Sequence, residues 1–427
     1  MHLTRLRGFQ DLMGRDARFA RLIEDTARTV AERYAINEIR VPVLERRDLY
    51  ERSSGETSDV VQKQLFTIQR GPESESREDQ VLRPEGTPGV IRAYIEAGLD
   101  RSDPEQRYYY LGPMFRYERP QKGRFRQFHQ FGVEIFGRAD AVCDAELLIM
   151  IEELRRELGL ELEFQINSLG DAQCRPAFRA ALLEYGREHW TELCADCHQR
   201  LERNPLRLLD CKIDVEIAAH APSSLDNLCT PCREHFATVE RLLRAADVAY
   251  VVNPRLVRGL DYYTRTAFEI VSGAIGSQSA VIAGGRYDGL VESLGGAAIA
   301  GVGFAIGIER LALAAAAVGE ASDVAPHVAM VALGEGGVIA ALSIAQQMRS
   351  QALRVELLSP DRGLKALLRR ASKIGARFAV IIGENEVSSG TAQLRDLAAS
   401  AQREVPTATA ADINRLTEEI RDARTSS

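Results

Sequence analysis

One short stretch of the chain concentrates basic and aromatic side chains in a protein that is acidic overall. The basic residues of this stretch are Arg116, Arg119, Lys122, Arg124 and Arg126. The formal net charge of the chain is −7 at pH 7, so bulk attraction to a polyanion does not explain the cluster. Arginine is planar and permanently charged, which suits phosphate oxygens and excludes acid–base roles. The cluster therefore predicts a phosphate-bearing ligand and catalysis through stabilisation of charge.

Side-chain alternation predicts that this stretch is a β-hairpin with one polar and one apolar face, because successive side chains of a strand point in opposite directions. The polar face carries Arg116, Glu118, Phe128, Gln130 and Glu134, and the apolar face carries Phe115, Phe131, Val133 and Ile135. His129 falls on the apolar face, so we interpret it as structural. A hairpin with one solvated face would show the same alternation. Fixed charge, hydrogen-bonding groups and an aromatic ring on one face instead favour a nucleotide site.

The sequence lacks the common short motifs of other phosphate sites and hydrolases. G-x-x-x-x-G-K-[ST], H-E-x-x-H and G-x-S-x-G are absent, and GVGFAIG (301–307) does not match G-x-G-x-x-G. No apolar run is long enough to span a bilayer, and the N-terminus has no signal-peptide core. We therefore expect a cytoplasmic protein with no membrane partner.

The surrounding sequence predicts the elements that must hold the hairpin in place. In chain order these are a helix (16–36), a strand (37–45), a strand, turn and helix (81–98), a helix (144–158), a strand (161–169), a helical region (171–249), a strand (255–271) and a glycine-rich section (273–307). From about residue 325, sequence of the order β-α-β-α-β favours a largely parallel sheet.

These segments resemble the class II aminoacyl-tRNA synthetases, and among them the histidyl-tRNA synthetase family. NEIRVPVLE (37–45), FRYE (115–118) and GVGFAIGIERL (301–311) are similar to the class motifs 1, 2 and 3. RLVRGLDYYTRT (255–266) and GGRYDGL (284–290) are similar to the two histidine-specific signatures, and RPEGT (83–87) accompanies them. The matching segments cover nearly the whole chain, and they follow one another in the same order as in the family. Residues 62–68 depart from the usual pattern without touching the implied site.

The resemblance implies an α+β fold with a class II catalytic domain, in which helices flank an antiparallel β-sheet. We expect this domain to comprise residues 1–170 and 250–322, a helical insertion to occupy 171–249, and an α/β anticodon-binding domain to occupy 325–427. Motif 1 of the family builds a dimer interface, so a homodimer is expected.

The resemblance also implies a role for each site residue. The implied catalytic residues are Arg116 and Arg258; the ATP-binding residues are Arg116, Glu118, Arg124, Phe128 and Arg310; the histidine-binding residues are Glu85, Gly86, Thr87, Arg116, Gln130, Glu134, Arg258, Tyr262 and Tyr263; and the residues at the tRNA acceptor end are Arg119, Gln121 and Lys122. In a regular strand Tyr262 would share the face of Arg258 and Tyr263 would not. Which of the two tyrosines contacts the imidazole is therefore left open.

The implied reaction joins L-histidine to tRNA(His) through a histidyl-adenylate, with ATP as substrate and Mg²⁺ on its outer phosphates. One alternative is the catalytically inert, synthetase-like regulatory subunit of ATP phosphoribosyltransferase, and another is a class II synthetase for proline or threonine. Intact motif arginines and a third domain argue against the first alternative, and the two histidine signatures argue against the second.

Two C-x-x-C pairs suggest a structural metal. Cys194, Cys197, Cys229 and Cys232 could together hold a tetrahedral Zn²⁺. Residues 198–228 separate the pairs, and this gap is longer than the about 15–20 residues that separate the two pairs of a compact zinc ribbon. Reduced, partly buried thiols are therefore the favoured interpretation over zinc.

A basic helix is predicted in the C-terminal region. Its cationic residues are Lys365, Arg369, Arg370, Lys373 and Arg377. A solvated helix face would look the same, whereas the implied anticodon-binding role fits contacts with RNA phosphates.

Overall fold

The computed structural model describes residues 3–54, 58, 60–68, 79–257, 262–275, 280–318, 325–358 and 360–425, which belong to two compact units, 1–321 and 322–427. The strands are β1 (Asn37–Glu38), β2 (Leu44–Arg46), β3 (Phe66–Thr67), β4 (Gln80–Leu82), β5 (Arg107–Phe115), β6 (Gln127–Phe136), β7 (Glu163–Ser168), β8 (Val251–Val252), β9 (Thr264–Val271), β10 (Ala280–Arg286), β11 (Gly301–Gly307), β12 (Val328–Ala332), β13 (Val355–Leu357), β14 (Phe378–Ile382), β15 (Thr391–Asp396) and β16 (Ala401–Pro406).

The helices flank these strands in both units. They are α1 (Arg15–Arg33), α2 (Arg47–Ser54), α3 (Thr87–Glu96), α4 (Leu99–Ser102), α5 (Ala141–Glu157), α6 (Arg175–Glu188), α7 (Ala195–Leu201), α8 (Val215–His220), α9 (Thr230–Ala245), α10 (Leu290–Ser293), α11 (Ile308–Val318), α12 (Gly334–Ser350), α13 (Leu364–Lys373), α14 (Glu384–Ser389) and α15 (Ala410–Thr425). None of the described helices has the length and apolar character needed to cross a membrane.

An eight-stranded sheet organises the first unit. Its strand order is β1-β5-β6-β11-β10-β9-β7-β8, and the six strands from β5 to β7 pair antiparallel with their neighbours. Only the edge strands β1 and β8 pair parallel. The predicted antiparallel sheet flanked by helices is therefore confirmed.

The β5–β6 hairpin has the two faces that alternation predicts. Phe131, Val133 and Ile135 are buried in the main core, where α1, α5, α9 and α11 cover one face of the sheet. The opposite face carries Gln130 and Glu134, on the side that α3 and α10 approach through a second apolar cluster. Strand β5 ends at Phe115, so Arg116 and Glu118 lie just beyond its end.

The helical region 171–249 is helical in the structure, and it joins β7 to β8. Its last helix, α9, places Phe236, Val239 and Leu243 in the main core together with residues of α5. Helix α9 is therefore integral to the packing of the first unit. The boundaries of a separate insertion domain stay a prediction.

The second unit contains the predicted β-α-β-α-β order and then departs from it. Strands β13, β12 and β14 are parallel, as the sequence predicts, but an antiparallel hairpin, β15–β16, extends the sheet. Helices cover both faces, so Val328 and Met330 enter one core cluster and Ala329 and Val331 enter another. Burial of both faces explains why β12 is a continuous apolar run.

Two predicted strands are shorter than expected. The predicted strand 37–45 is split into β1 and β2 by a segment that contains Pro42, a residue without a backbone donor for a sheet. The predicted strand 255–271 begins only at Thr264. Residues 71–79, predicted as a polar loop, lie outside the described residues except for Asp79.

Candidate active site

The polar face of the hairpin lines a cleft of about 340 Å³. The predicted site residues that line it are Glu85, Thr87, Arg116, Glu118, Arg124, Phe128, Gln130, Glu134, Tyr262, Tyr263 and Arg310. Side chains from distant parts of the chain thus meet on one surface. A cleft of this size is in the range of small-molecule sites.

Arg116 and Phe128 form one wall of the cleft. The Arg116 guanidinium carbon lies 5.5 Å from the centre of the Phe128 ring, and Arg116 Nε donates to the carbonyl oxygen of Pro84 at 2.9 Å. These two contacts hold the guanidinium while leaving its terminal nitrogens available to an anionic ligand. The half-buried ring offers a flat surface on which a base can stack.

Two further arginines, Arg124 and Arg310, lie at the end of the cleft where β11 leads into α11. Burial and the nearby positive charge of Arg124 lower the pKa of Arg310. Arg124 Nη1 lies 3.2 Å from Glu118 Oε2, so one carboxylate sits beside the two guanidiniums. Two guanidiniums that converge in this way repel each other, so a polyanion such as the outer phosphates of a nucleotide would stabilise them.

The opposite end of the cleft contains two buried carboxylates, Glu85 and Glu134. Thr87 Oγ1 donates to Glu134 Oε1 at 2.5 Å, and the Tyr287 hydroxyl donates to Glu134 Oε2. Burial raises the pKa of Glu134 to about 8, an effect that these hydrogen bonds oppose and the charge of Glu85 reinforces. Tyr262 donates to Glu85 Oε2 at 3.4 Å. This end favours a ligand with cationic or N–H groups.

Three features shape the carboxylate end of the cleft. The side-chain oxygen of Gln130 is buried and has no hydrogen-bond partner among the described residues, so it can accept from a ligand. A Cβ at Gly303 of β11 would lie 2.1 Å from Glu134 Oε2, so only glycine leaves room for the carboxylate there. A Cβ at Gly86, the N-cap of α3, would lie 2.2 Å from the Tyr110 ring, which gives Gly86 a packing role beside the cleft.

Tyr262 and Tyr263 both line the cleft because they precede β9 and do not alternate as strand residues would. Their ring centres are 4.6 Å apart, and Tyr263 is buried against Leu256 and Ala267. The regular strand on which the separation of the two tyrosines was conditional begins only after them, so strand alternation does not choose between them. Arg258, predicted to be catalytic, lies outside the described residues.

The turn residues and His129 occupy different surroundings. Arg119, Gln121 and Lys122 are exposed at the tip of the hairpin. His129 Nδ1 lies 2.8 Å from Glu309 Oε1, and this hydrogen bond raises the pKa of His129. His129 thus pairs with the residue before Arg310, which agrees with the structural role predicted for it.

Sequence reasoning missed a buried ionic network under the cleft. Arg286 and Asp144 are fully buried and form an ion pair, and His235 Nε2 and Thr266 Oγ1 lie 2.5 Å and 2.6 Å from Asp144 Oδ2. Burial opposes ionisation of Asp144, but hydrogen bonds from His235 and Arg286 outweigh it and lower the pKa. The GGRYDGL motif contained the signal: its arginine holds the strand from which Tyr287 reaches Glu134.

Arg83 is a second residue that sequence reasoning missed. Its guanidinium donates to the carbonyl oxygens of Pro113 and Val41 at 2.9 Å and 2.8 Å. A Cβ at Gly112 would lie 2.3 Å from Arg83 Nη2. Arg83 therefore ties the RPEGT segment to β5 and positions Glu85 at the cleft.

The cysteines do not form the candidate four-cysteine site. Cys194 and Cys197 lie with Cys211 and Asp214, whereas Cys229 and Cys232 lie with Asp171 and Cys174. A single site built from the two C-x-x-C pairs is therefore wrong, because each pair starts a different helix (α7 or α9) and meets different partners.

The basic helix of the second unit is α13. Lys365, Arg369, Arg370 and Lys373 are exposed, while Leu367 and Ala371 are buried on the other side of the helix. Arg377 follows the helix and pairs with Asp396 at 3.1 Å. Arg377 is therefore part of the packing of this unit, and the four helical residues form the exposed basic face.

The antiparallel sheet, with hairpin arginines and the β11–α11 arginine around one cleft, defines the fold of the class II aminoacyl-tRNA synthetases. The family model described as Histidyl-tRNA synthetase matches residues 8–311, and the model described as Anticodon binding domain matches residues 327–415. The chain belongs to the histidyl-tRNA synthetase family.

Individual relatives agree with this assignment. The chain is 45% identical to histidine–tRNA ligase of Trichlorobacter lovleyi, over 95% of this chain and 96% of the relative. It is 46% identical to the ligase of Geobacter sulfurreducens, over 95% and 97%. The apo histidyl-tRNA synthetase of S. aureus is 30% identical, with a TM-score of 0.79 over 98% of this chain and 100% of that chain.

A fourth similar protein bears on the regulatory-subunit alternative. A Bacillus halodurans structure, described as an ATP phosphoribosyltransferase regulatory subunit/histidyl-tRNA synthetase, has 22% identity and a TM-score of 0.65, over 90% of this chain and 99% of that chain. At this identity the likeness shows the fold alone. The full-length ligase relatives and the match to an anticodon-binding domain do not favour the regulatory alternative.

Proposed function

We propose that this chain ligates L-histidine to the 3′ end of tRNA(His) in two steps. In the first, the histidine carboxylate attacks the α-phosphorus of ATP, and pyrophosphate leaves as histidyl-adenylate forms. In the second, the terminal ribose hydroxyl of the tRNA attacks the histidyl carbonyl carbon, and AMP leaves. The observation that supports this function best is a single cleft with arginines at one end and two buried carboxylates at the other.

The arginine end binds ATP. Arg116 and Arg258 neutralise the α-phosphate as its charge develops, and the ring of Phe128 stacks on adenine, whose amino group donates to Glu118. Arg124 and Arg310 bind the outer phosphates. Because arginine stays protonated, these residues act through charge and position and transfer no proton.

Mg²⁺ would supply further neutralisation of the outer phosphates. Glu269 lines the cleft close enough to raise the pKa of Arg310, against the burial that lowers it. A carboxylate oxygen is the kind of ligand that Mg²⁺ takes beside substrate phosphates. Glu269 therefore fits the role of holding this ion.

The carboxylate end binds histidine. Glu85, Thr87 and Gln130 receive the α-amino group, while Glu134 and a tyrosine of the Tyr262–Tyr263 pair satisfy the imidazole. A neutral imidazole has one N–H donor and one acceptor nitrogen, so a pocket that serves both rejects analogues that lack either.

Partners follow from the same assignment. The exposed turn residues Arg119, Gln121 and Lys122 meet the acceptor end of the tRNA, and the exposed face of α13 meets RNA phosphates in the anticodon-binding domain. Motif 1 builds a homodimer, which agrees with the exposure of Leu44 (46%) in β2. The protein works in the cytoplasm, where its tRNA substrate is used.

The direct test is ATP–pyrophosphate exchange with each standard amino acid in turn. We expect exchange with L-histidine alone, because only histidine satisfies both carboxylates and the imidazole partners. Charging of tRNA(His) with radiolabelled histidine then measures the second step. Exchange with a different amino acid, or with none, would overturn the proposed substrate.

Histidine affinity should depend on the ionisation of Glu134. Because the pKa of Glu134 is about 8, its carboxyl group is largely protonated in the free enzyme at neutral pH. Glu134 must lose this proton before it can accept a hydrogen bond from an N–H group of histidine as a carboxylate. The affinity for histidine should therefore rise as pH increases towards about 8, by up to about tenfold per pH unit, relative to Glu134→Gln. Calorimetric titration of both proteins from about pH 6.5 to 9 measures this ratio.

The variant is the matched control because the titrations of histidine itself are identical in both experiments. The wild-type protein should also release a proton on binding, detected by using buffers of different ionisation enthalpy. Parallel affinity curves for the two proteins would remove Glu134 titration from the binding step.

A further inference from the structure

Six of the seven cysteines form two clusters of identical composition in the helical region. The inner cluster contains Cys194, Cys197, Cys211 and Asp214, and the outer cluster contains Asp171, Cys174, Cys229 and Cys232. In each cluster the four ligand atoms, three sulfurs and one carboxylate oxygen, lie within 4.8 Å of one another. The active-site chemistry uses none of these side chains.

The two clusters also share the same two short spacings, in mirrored order along the chain. Each cluster combines one C-x-x-C pair with one cysteine and one aspartate that are three positions apart: Asp171 and Cys174, or Cys211 and Asp214. The inner cluster lies between the two halves of the outer one along the chain. Two sets of ligands with one pattern indicate two sites with one function.

The inner cluster has the dimensions of a tetrahedral metal site. Cys194 Sγ and Cys211 Sγ are 3.8 Å apart, and Cys211 Sγ lies 3.5 Å from Asp214 Oδ2. Zinc bonds of about 2.3 Å to sulfur and about 2.0 Å to oxygen give tetrahedral edges of about 3.8 Å and 3.5 Å. A disulfide requires sulfurs about 2.05 Å apart, so this spacing fits a shared ion and not a covalent bond.

The outer cluster has similar dimensions. Asp171 Oδ1 lies 3.5 Å from Cys174 Sγ and 3.8 Å from Cys229 Sγ. Cys174 and Cys229 are the N-caps of α6 and α9, two helices of 14 and 16 residues, where the helix dipole favours a thiolate. Arg265 places its guanidinium 3.6 Å from Asp171 as a counter-charge.

Hydrogen bonds around both clusters resemble the outer shell of a metal site. The Asp171 N–H points to Cys174 Sγ at 3.2 Å, and the Asp214 N–H points to Cys211 Sγ at 3.4 Å. The Cys194 N–H donates to the Asp214 carboxylate at 3.1 Å. Such bonds orient ligands and compensate charge on thiolates.

We propose that each cluster binds one Zn²⁺ in a closed, four-coordinate Cys3Asp structural site, so that one chain carries two zinc ions. Thiolate-rich tetrahedral sites select zinc among common cellular divalent metals. The inner ion links the start of α7 to the start of α8, and the outer ion links α6 to α9. Together they staple a region in which buried apolar residues form small separate clusters.

The test is metal analysis of the full-length protein purified without chelator or added zinc. Mass spectrometry of the metals should find about two zinc ions per chain. X-ray absorption of the same unmodified protein should show about three sulfur ligands and one oxygen ligand per zinc, at about 2.3 Å and 2.0 Å. This measurement does not depend on the folding of any variant.

Substitutions separate the two sites. Cys197→Ser and Cys232→Ser should each reduce the content to about one zinc, and the double variant to about none. Cys143→Ser is the matched control, because Cys143 is buried in the main core outside both clusters, and it should retain two zinc ions. Protein without stoichiometric metal, with free thiols or disulfides instead, would overturn the proposal. Loss of all zinc in each single variant would overturn the two-site arrangement.

Discussion

Arg116→Ala should lower the rate of histidine-dependent ATP–pyrophosphate exchange by about 10²–10³-fold, the usual cost of losing one preorganised donor to a transition state. Arg116 is the part of the cleft wall that Phe128 and the Pro84 carbonyl hold in place, so its charge is positioned before the substrates arrive. Because the proposed contact is with the transition state, kcat should fall more than the affinity for ATP. Pre-steady-state exchange kinetics and ATP titration separate these two quantities.

Two further variants sharpen this prediction. Arg116→Lys should recover little activity, because an ammonium cannot reproduce the planar, two-pronged donor geometry of a guanidinium. Arg21→Ala is the matched control, since Arg21 is an exposed residue of α1 that forms an ion pair with Asp25 of the same helix. A kcat for Arg116→Ala within a few-fold of that control would exclude Arg116 from the first chemical step.

Arg286→Ala should destabilise the first unit by about 3–5 kcal/mol, the usual cost of leaving a buried charge without its partner. The side chains of Arg286 and Asp144 are completely buried, and the same guanidinium also donates to the carbonyl oxygens of Arg138 and Asp140. Its removal takes a partner from two carboxylates, Asp144 and Asp288, and from two carbonyl oxygens. Chemical denaturation followed by circular dichroism measures the change in the free energy of unfolding.

The control for this prediction is Arg187→Ala, which removes an ion pair with Glu202 whose two side chains are more than half exposed. Exposed ion pairs contribute little to stability, so the free energy of unfolding of the control should be close to that of the wild-type protein. The histidine KM of Arg286→Ala should also rise, because the neighbouring Tyr287 donates to Glu134. An unfolding free energy equal to that of the control would show that the buried pair does not stabilise the fold.

Local patterns determined much of this protein. The alternation of residues in the β5–β6 hairpin predicted which side chains enter the core, such as Phe131, and which face the other way, such as Glu134. Helical spacing predicted α1 and α5 within a few residues, and the motif arginines 116, 124 and 310 line one cleft. The faces and the helices follow from backbone periodicity, which acts between residues that are near one another in the chain, whereas the roles of the motif arginines came from the resemblance to the family.

Only the tertiary structure decided the contacts between distant segments. The split of the cysteines into two clusters, the pairing of Arg286 with Asp144, and the approach of Tyr287 to Glu134 depend on the strand order of the sheet and on where helices begin. Strand alternation does not apply to Tyr262 and Tyr263, because β9 starts after them. The physical reason is that periodicity assigns a side chain to a face, whereas packing and burial choose its partner across the chain.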